Sequence, residues 1–304
     1  MSEIGSLLDP GVLNKFSNLE LIARQVVEGF LSGRHKSPYK GFSVEFAEHR
    51  EYTRGDEIRH IDWRTFGKTD RYYIKEYEVE TNLRSQIVLD VSGSMAYGKT
   101  RSGGQVGVSK FTYGSYLAAA LGYMLLHQQD SVGLVTFDTK IRRYIPTRSA
   151  PNHLRNICRE LQQTETGGET ELADVFHDLA ERFKRGGMVV IISDLFFDPK
   201  SLLSALQHFR HRHHEVLLFQ VLDPDELTFP FRNWSEFRDL EIDDDRIRID
   251  PVRVREGYLE SMREFLDDLK HGCGQMSIDH VMLDTTTPFD RALSYYLARR
   301  AWRK

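Results

Sequence analysis

QIVLDVSGSM, Gln86–Met95, joins an apolar run to one carboxylate and two small hydroxyls set at alternate positions. A short apolar run that stops at a turn reads as a strand buried on both faces. Where the strand gives way to the turn, residues 90, 92 and 94 can converge on one point, because Gly93 lets the backbone bend. Outward from this stretch the pattern repeats. Apolar runs lie at 131–137, 141–145, 188–193, 215–222 and 277–283, and helical spacing marks 105–128, 150–163, 171–185, 199–210, 254–271 and 288–301. Strands that alternate with helices predict an α/β fold: a doubly wound, mostly parallel sheet with helices on both faces. The runs either side of Asp138-Thr139 are joined only by a tight turn, so they predict an antiparallel hairpin, with one antiparallel strand at a sheet edge.

Before this region the character differs. From Leu19 the apolar residues Ile22, Ala23, Val26, Val27 and Phe30 fall on one helical face, and Gly33 ends the pattern. From Gly41 to Glu80 charged and aromatic residues interleave at about period two, as short strands and turns do, with Arg54-Gly55-Asp56 and Lys68-Thr69-Asp70 as turn candidates. The expected division is therefore 1–83, a helix and a small β-rich module, and 84–304, the α/β domain. Within the module, Arg50, Arg54, Arg59 and Arg64 alternate with Glu51, Asp56, Glu57 and Asp62. They suit a salt-bridge lattice or a partner surface, with Tyr52, Ile58, Ile61 and Trp63 as packing beside the charges.

Composition narrows the function classes. A net charge of −4 over 304 residues gives no electrostatic reason to expect nucleic acid as a partner. The longest apolar stretch, Tyr116–Leu126, is too short to cross a bilayer, so no membrane span is expected. MSEIGSLLDPG lacks the basic start and apolar core of a secretory leader, and Cys158 and Cys273 stand far apart outside any CxxC. The expected compartment is the cytoplasm.

In an open parallel sheet, ligands collect at the C-terminal ends of the strands. Three loops there carry oxygen donors: Asp90, Ser92 and Ser94 in the first, Thr170 of GGET in the second, and Asp194 at the end of MVVIISD. Ligation by oxygen alone selects Mg²⁺, or Mn²⁺ or Ca²⁺, over zinc or copper. Hydroxyls are weak neutral ligands, so a cation held by them and two carboxylates keeps most of its charge. It should complete its shell with a further anionic oxygen, such as an Asp or Glu of a protein partner.

DVSGS resembles the D-x-S-x-S of the metal-ion-dependent adhesion site (MIDAS) in von Willebrand factor A domains, with Thr170 and Asp194 matching its second-loop threonine and third-loop aspartate. The segment from Gly41 to Asn82, with VLDPDELTFPF, the DLE hairpin and LDTTTPFDRAL, is similar to the DUF58 proteins, which carry such a domain. The resemblance implies a sheet order of 3-2-1-4-5-6 and an association with MoxR-type AAA+ ATPases. It also implies that Ser92, Ser94 and Thr170 touch the metal directly while Asp90 and Asp194 act partly through water. Many DUF58 chains begin with two membrane helices, whereas this one has a single amphipathic helix at that place.

The expected role is a cation-dependent, protein-binding adaptor and not an enzyme. The alternative is a metal-dependent hydrolase or phosphatase with Asp90 at its active site. A haloacid-dehalogenase-type enzyme also needs a carboxylate two residues on, where Ser92 stands. GGQVGVSK, 103–110, lacks the spacing of a phosphate loop. His208, His211, His213 and His214 read as a solvated helix end because Arg210 and Arg212 would repel a cation, and Asp243–Asp245 read as a solvated turn.

Overall fold

The computed structural model describes residues 10–13, 18–34, 49–51, 63–75, 83–98, 107–150, 152–168, 172–183, 186–240 and 246–301. The chain forms two compact units, Met1–His35 with Leu83–Lys304, and Lys36–Asn82.

The larger unit opens with helix α1, Leu19–Arg34. The smaller unit contains strand β1 (His49–Glu51), helix α2 (Trp63–Thr69) and strand β2 (Tyr73–Lys75), with β1 and β2 paired antiparallel. The turn expected at Lys68-Thr69-Asp70 follows that helix, where Asp70 takes a φ of 55°. Period-two spacing missed α2, in which Phe66 stacks on Tyr72 at 4.5 Å. Trp63, expected to pack, is 59% exposed. Arg54-Gly55-Asp56 and most of the Arg/Glu lattice lie outside the described residues.

The chain then runs through β3 (Arg84–Asp90), α3 (Lys110–His127), β4 (Ser131–Phe137), β5 (Ile141–Arg148), α4 (His153–Gln163), α5 (Leu172–Arg182), β6 (Gly187–Ser193), α6 (Pro199–His211) and β7 (His214–Leu222). A short helix α7 (Pro224–Thr228), the hairpin β8 (Ser235–Arg238) and β9 (Arg246–Ile249), helix α8 (Pro251–Gln275), β10 (Asp279–Asp284) and α9 (Phe289–Ala301) complete it. Six strands form one sheet in the order β10-β7-β6-β3-β4-β5. Every pairing is parallel except β4 with β5, which is antiparallel at the edge. Read from β5, and numbering only these strands, this is the 3-2-1-4-5-6 order, so the fold is von Willebrand A-like.

Alternation along each strand builds two cores. Ile87, Leu89, Leu134, Val190 and Ile192 face one layer with α1, α3, α4 and α9. Val88, Val135, Val189, Ile191 and Leu218 face the other, with α5, α6 and α8. Because both faces are covered, the central strands are apolar throughout. Helix α3 is buried along nearly its whole length, and Gly114 lets it approach the sheet: a Cβ there would stand 3.0 Å from Leu89 Cδ1 and 3.1 Å from Ile192 Cγ2.

The boundary drawn near residue 83 needs correction. Leu19, Ile22, Ala23, Val26, Val27 and Phe30 belong to the first core, so α1 folds with the sheet and only Lys36–Asn82 stands apart. Among the described residues, no helix is long and apolar enough to cross a membrane.

Candidate metal centre at the strand ends

Asp90 closes β3 and is fully buried. Its Oδ1 accepts from the Ser92 amide at 2.9 Å and its Oδ2 from the Ser193 hydroxyl at 2.6 Å. The turn after it, one turn of 3-10 helix at Gly93–Ala96, brings Ser92 Oγ and Ser94 Oγ to 3.1 Å from each other. Asp194 follows β6, which lies beside β3, and is 1% exposed. The structure thus brings Asp90, Ser92, Ser94 and Asp194 to adjacent strand ends, while Thr170 lies outside the described residues. The chain that leads to it is tied to the first loop: Gly93 N donates to Gly168 O and Gly167 N to Val91 O, both at 3.0 Å. Gly168 has a φ of 85°, open to glycine, and a Cβ there would lie 3.3 Å from Asp138 Oδ2.

The electrostatics favour a cation. Burial, and then the charge of Asp194, push the Asp90 carboxyl up to about 7, against hydrogen bonds from Ser193 and Ser92 that pull it down. Asp90, beside a second buried carboxylate, accepts hydrogen bonds from neutral donors, the Ser92 amide and the Ser193 hydroxyl.

Asp194 has a partner that sequence reasoning missed. Lys110, 1% exposed, reaches Asp194 Oδ2 at 2.7 Å and Glu226 Oε1 at 2.6 Å. Burial disfavours its ammonium, but Asp194 and Glu226 outweigh that and raise its pKa. The Glu226 carboxyl is also raised, because its own burial outweighs the pull of Lys110. Glu226 is held in a capping box at the start of α7: its Oε2 accepts from Asp223 N at 2.7 Å, and its carbonyl accepts from the Tyr258 hydroxyl of α8 at 2.8 Å. The sequence does carry one signal for Lys110. Ser109 caps α3, so Lys110 sits at the positive end of a helix, where a cation is unfavourable unless carboxylates meet it.

The donor set fits a hard divalent cation. Both Asp90 oxygens accept hydrogen bonds, Asp194 Oδ2 faces Lys110 and its Oδ1 accepts from Phe196 N at 3.4 Å, and the Ser92 and Ser94 hydroxyls meet each other. Among the described residues no three His, Cys, Asp or Glu side chains gather as metal ligands. Of the histidines after α6, His208, His211 and His213 are exposed as expected for a solvated helix end. His214 differs: it opens β7 and is 2% exposed.

The family described as "Protein of unknown function DUF58" matches residues 48–265. Uncharacterized proteins of Mycobacterium tuberculosis strain H37Rv (Rv1480) and Mycobacterium bovis (Mb1516) are 28% identical over 229 residues, 74% of this chain and 70% of theirs. Among solved structures, a conserved hypothetical protein BatB from Bacteroides thetaiotaomicron is 15% identical with a TM-score of 0.46, covering 72% of this chain and 98% of that one. An aerotolerance-related membrane protein from Bacteroides fragilis is 16% identical with a TM-score of 0.47, covering 71% and 99%. The SpRpn10 VWA domain is 9% identical with a TM-score of 0.40, covering 70% and 94%.

Proposed function

The chain belongs to the DUF58 family, and from that premise we propose that it is a cytoplasmic, cation-dependent protein-binding adaptor. The carrying observation is the pairing of buried Asp90 and Asp194 beside two hydroxyls 3.1 Å apart, with the Asp90 carboxyl raised to about 7. Ser92 and Ser94, with Thr170, would hold Mg²⁺, or Mn²⁺ or Ca²⁺, directly, and Asp90 and Asp194 would contribute charge. Bound there, the ion offers an open position to an Asp or Glu oxygen of a partner. Lys110 already pairs with Asp194, so an ion held there would favour a partner's carboxylate to complete its shell. The MIDAS resemblance supports this reading, and the family resemblance favours a MoxR-type AAA+ ATPase as the partner, in the assembly or maturation of protein complexes.

A hydrolytic role for Asp90 is less well supported. A nucleophile must be reachable, but this carboxylate is fully buried and both its oxygens accept hydrogen bonds.

The test is thermal unfolding with and without Mg²⁺. The wild type should be stabilised saturably, as any ligand selective for the native state requires, and Ser92→Ala/Ser94→Ala should lose that response while unfolding cooperatively. A wild type indifferent to Mg²⁺, Mn²⁺ and Ca²⁺ would overturn the metal assignment. Affinity capture with and without EDTA then reports whether the ion mediates contact.

A further inference from the structure

At the opposite end of the sheet from Asp90, the strand starts enclose a second site. Arg84 opens β3 beside Ser131 of β4, and Gly187 of β6 lies in register with His214 of β7. These strand starts, the last residues of β5 and the end of α5 line a cavity of about 580 Å³, a size usual for small-molecule sites.

Its chemistry is one-sided. Arg84, Arg148 and Arg182 line it together with the hydroxyl-bearing Ser131, Tyr144, Thr147 and Ser149, and among the described residues no Asp or Glu does. Arg182 pairs with Asp178 at 3.1 Å, but among the described residues neither Arg84 nor Arg148 has an ion-pair partner. Two guanidinium groups set side by side with no ion pair among the described residues, Arg84 and Arg148, suit an anion from outside.

His214, 2% exposed, closes the floor of the cavity where β7 begins. Phe183, Met188 and Val189 add an apolar wall, and the Tyr144 ring lies near that of Phe183, 6.4 Å between centroids at 26°.

We infer that this cavity binds a phosphorylated small molecule of nucleotide size. Its phosphate lies on Arg84 and Arg148, with Arg182 beside them, and its flat apolar body rests on the Tyr144 and Phe183 wall. The site owes nothing to the cation reading, since it shares no residue with it.

Calorimetry and thermal unfolding of the full chain, with ADP, inorganic phosphate and adenosine as probes, test this. ADP should bind saturably and raise the melting temperature, phosphate should compete with it, and adenosine alone should bind at least tenfold more weakly. Arg84→Gln/Arg148→Gln, both on the exposed rim, should weaken ADP at least tenfold without lowering the melting temperature of the free protein. No saturable binding of ADP or phosphate at millimolar concentration, equal binding by adenosine, or an undiminished affinity in the double variant would each overturn the proposal.

Discussion

Lys110 is the residue on which the candidate centre turns, because it puts a fixed positive charge where the neighbouring residues are acidic. Its ammonium is paired at once with the buried Asp194 carboxylate and the partly buried one of Glu226, and lies 5.0 Å from the centre of the Phe196 ring. Removing one partner of a buried ionic group leaves the others uncompensated, at a typical cost of about 3–5 kcal/mol. Lys110→Met should therefore lower the stability measured in urea by about that much. Lys110→Met/Glu226→Gln should recover part of the loss, since one stranded carboxylate becomes neutral. A single variant as stable as the wild type would show that the ammonium is not engaged. Asp90, Ser92, Ser94 and Asp194 were legible because their meaning is local: each stands at the end of an apolar run or within four residues of it. Lys110 was not, because its partners lie 84 and 116 residues away, and GGQVGVSK, tested as a phosphate loop, gives no hint of them. His214 was submerged in a run of exposed histidines, from which only the start of β7 separates it.

At the scale of elements, β10 carries a relay toward the candidate centre. His280 Nε2 pairs with Gln220 Oε1 of β7 at 3.0 Å, and Gln220 Nε2 donates to the carbonyl of Asp194 at 3.0 Å. With Gln220 Oε1 as acceptor, the neutral His280 ring carries its proton on Nε2. Burial, and then the charge of Lys270, lower the His280 pKa from 6.5 to about 4. A histidine whose folded pKa is depressed takes up its proton in the unfolded chain first. Its stabilising contribution is complete above about pH 6.5 and is lost as the pH falls toward 4, by about 3 kcal/mol in all. Urea midpoints should decline across that window, and His280→Gln, which can keep a donor toward Gln220, should flatten the decline. An unchanged slope in the variant would place the acid sensitivity elsewhere; His153 and His214, both lowered by burial, are the other contributors. The elements themselves were read well where burial dictated pattern: β4 spans the expected 131–137. Exposure hid the rest. β5 runs on to Arg148 because a strand that pairs on one side only can carry Pro146 and charged residues on its open edge. α2 is too short, and too interspersed with polar residues, for a helical period to register.

For the molecule as a whole, the place of α1 decides what can be cut away. Sequence patterning shows a helix with one apolar face but not what that face meets, and a change of composition near residue 83 invites a boundary there. In the structure Leu19, Ile22, Ala23, Val26, Val27 and Phe30 are each at most 4% exposed, in one core with Leu117, Leu121 and Leu125 of α3. A fragment of residues 84–304 would thus open a long apolar face over the most buried helix of the sheet. Each large aliphatic or aromatic side chain that loses its burial removes about 1.5–3 kcal/mol, so Ile22, Val26, Val27 and Phe30 together forfeit about 6–12 kcal/mol, as much as the usual stability of about 5–15 kcal/mol for a whole domain. The fragment should be insoluble or unfold without cooperativity. A chain in which a flexible linker replaces 36–82, leaving α1 joined to the sheet unit, should unfold in one cooperative transition. Circular dichroism melts of the two proteins decide the matter, and a stable, cooperative 84–304 fragment would mean that α1 only decorates the sheet unit.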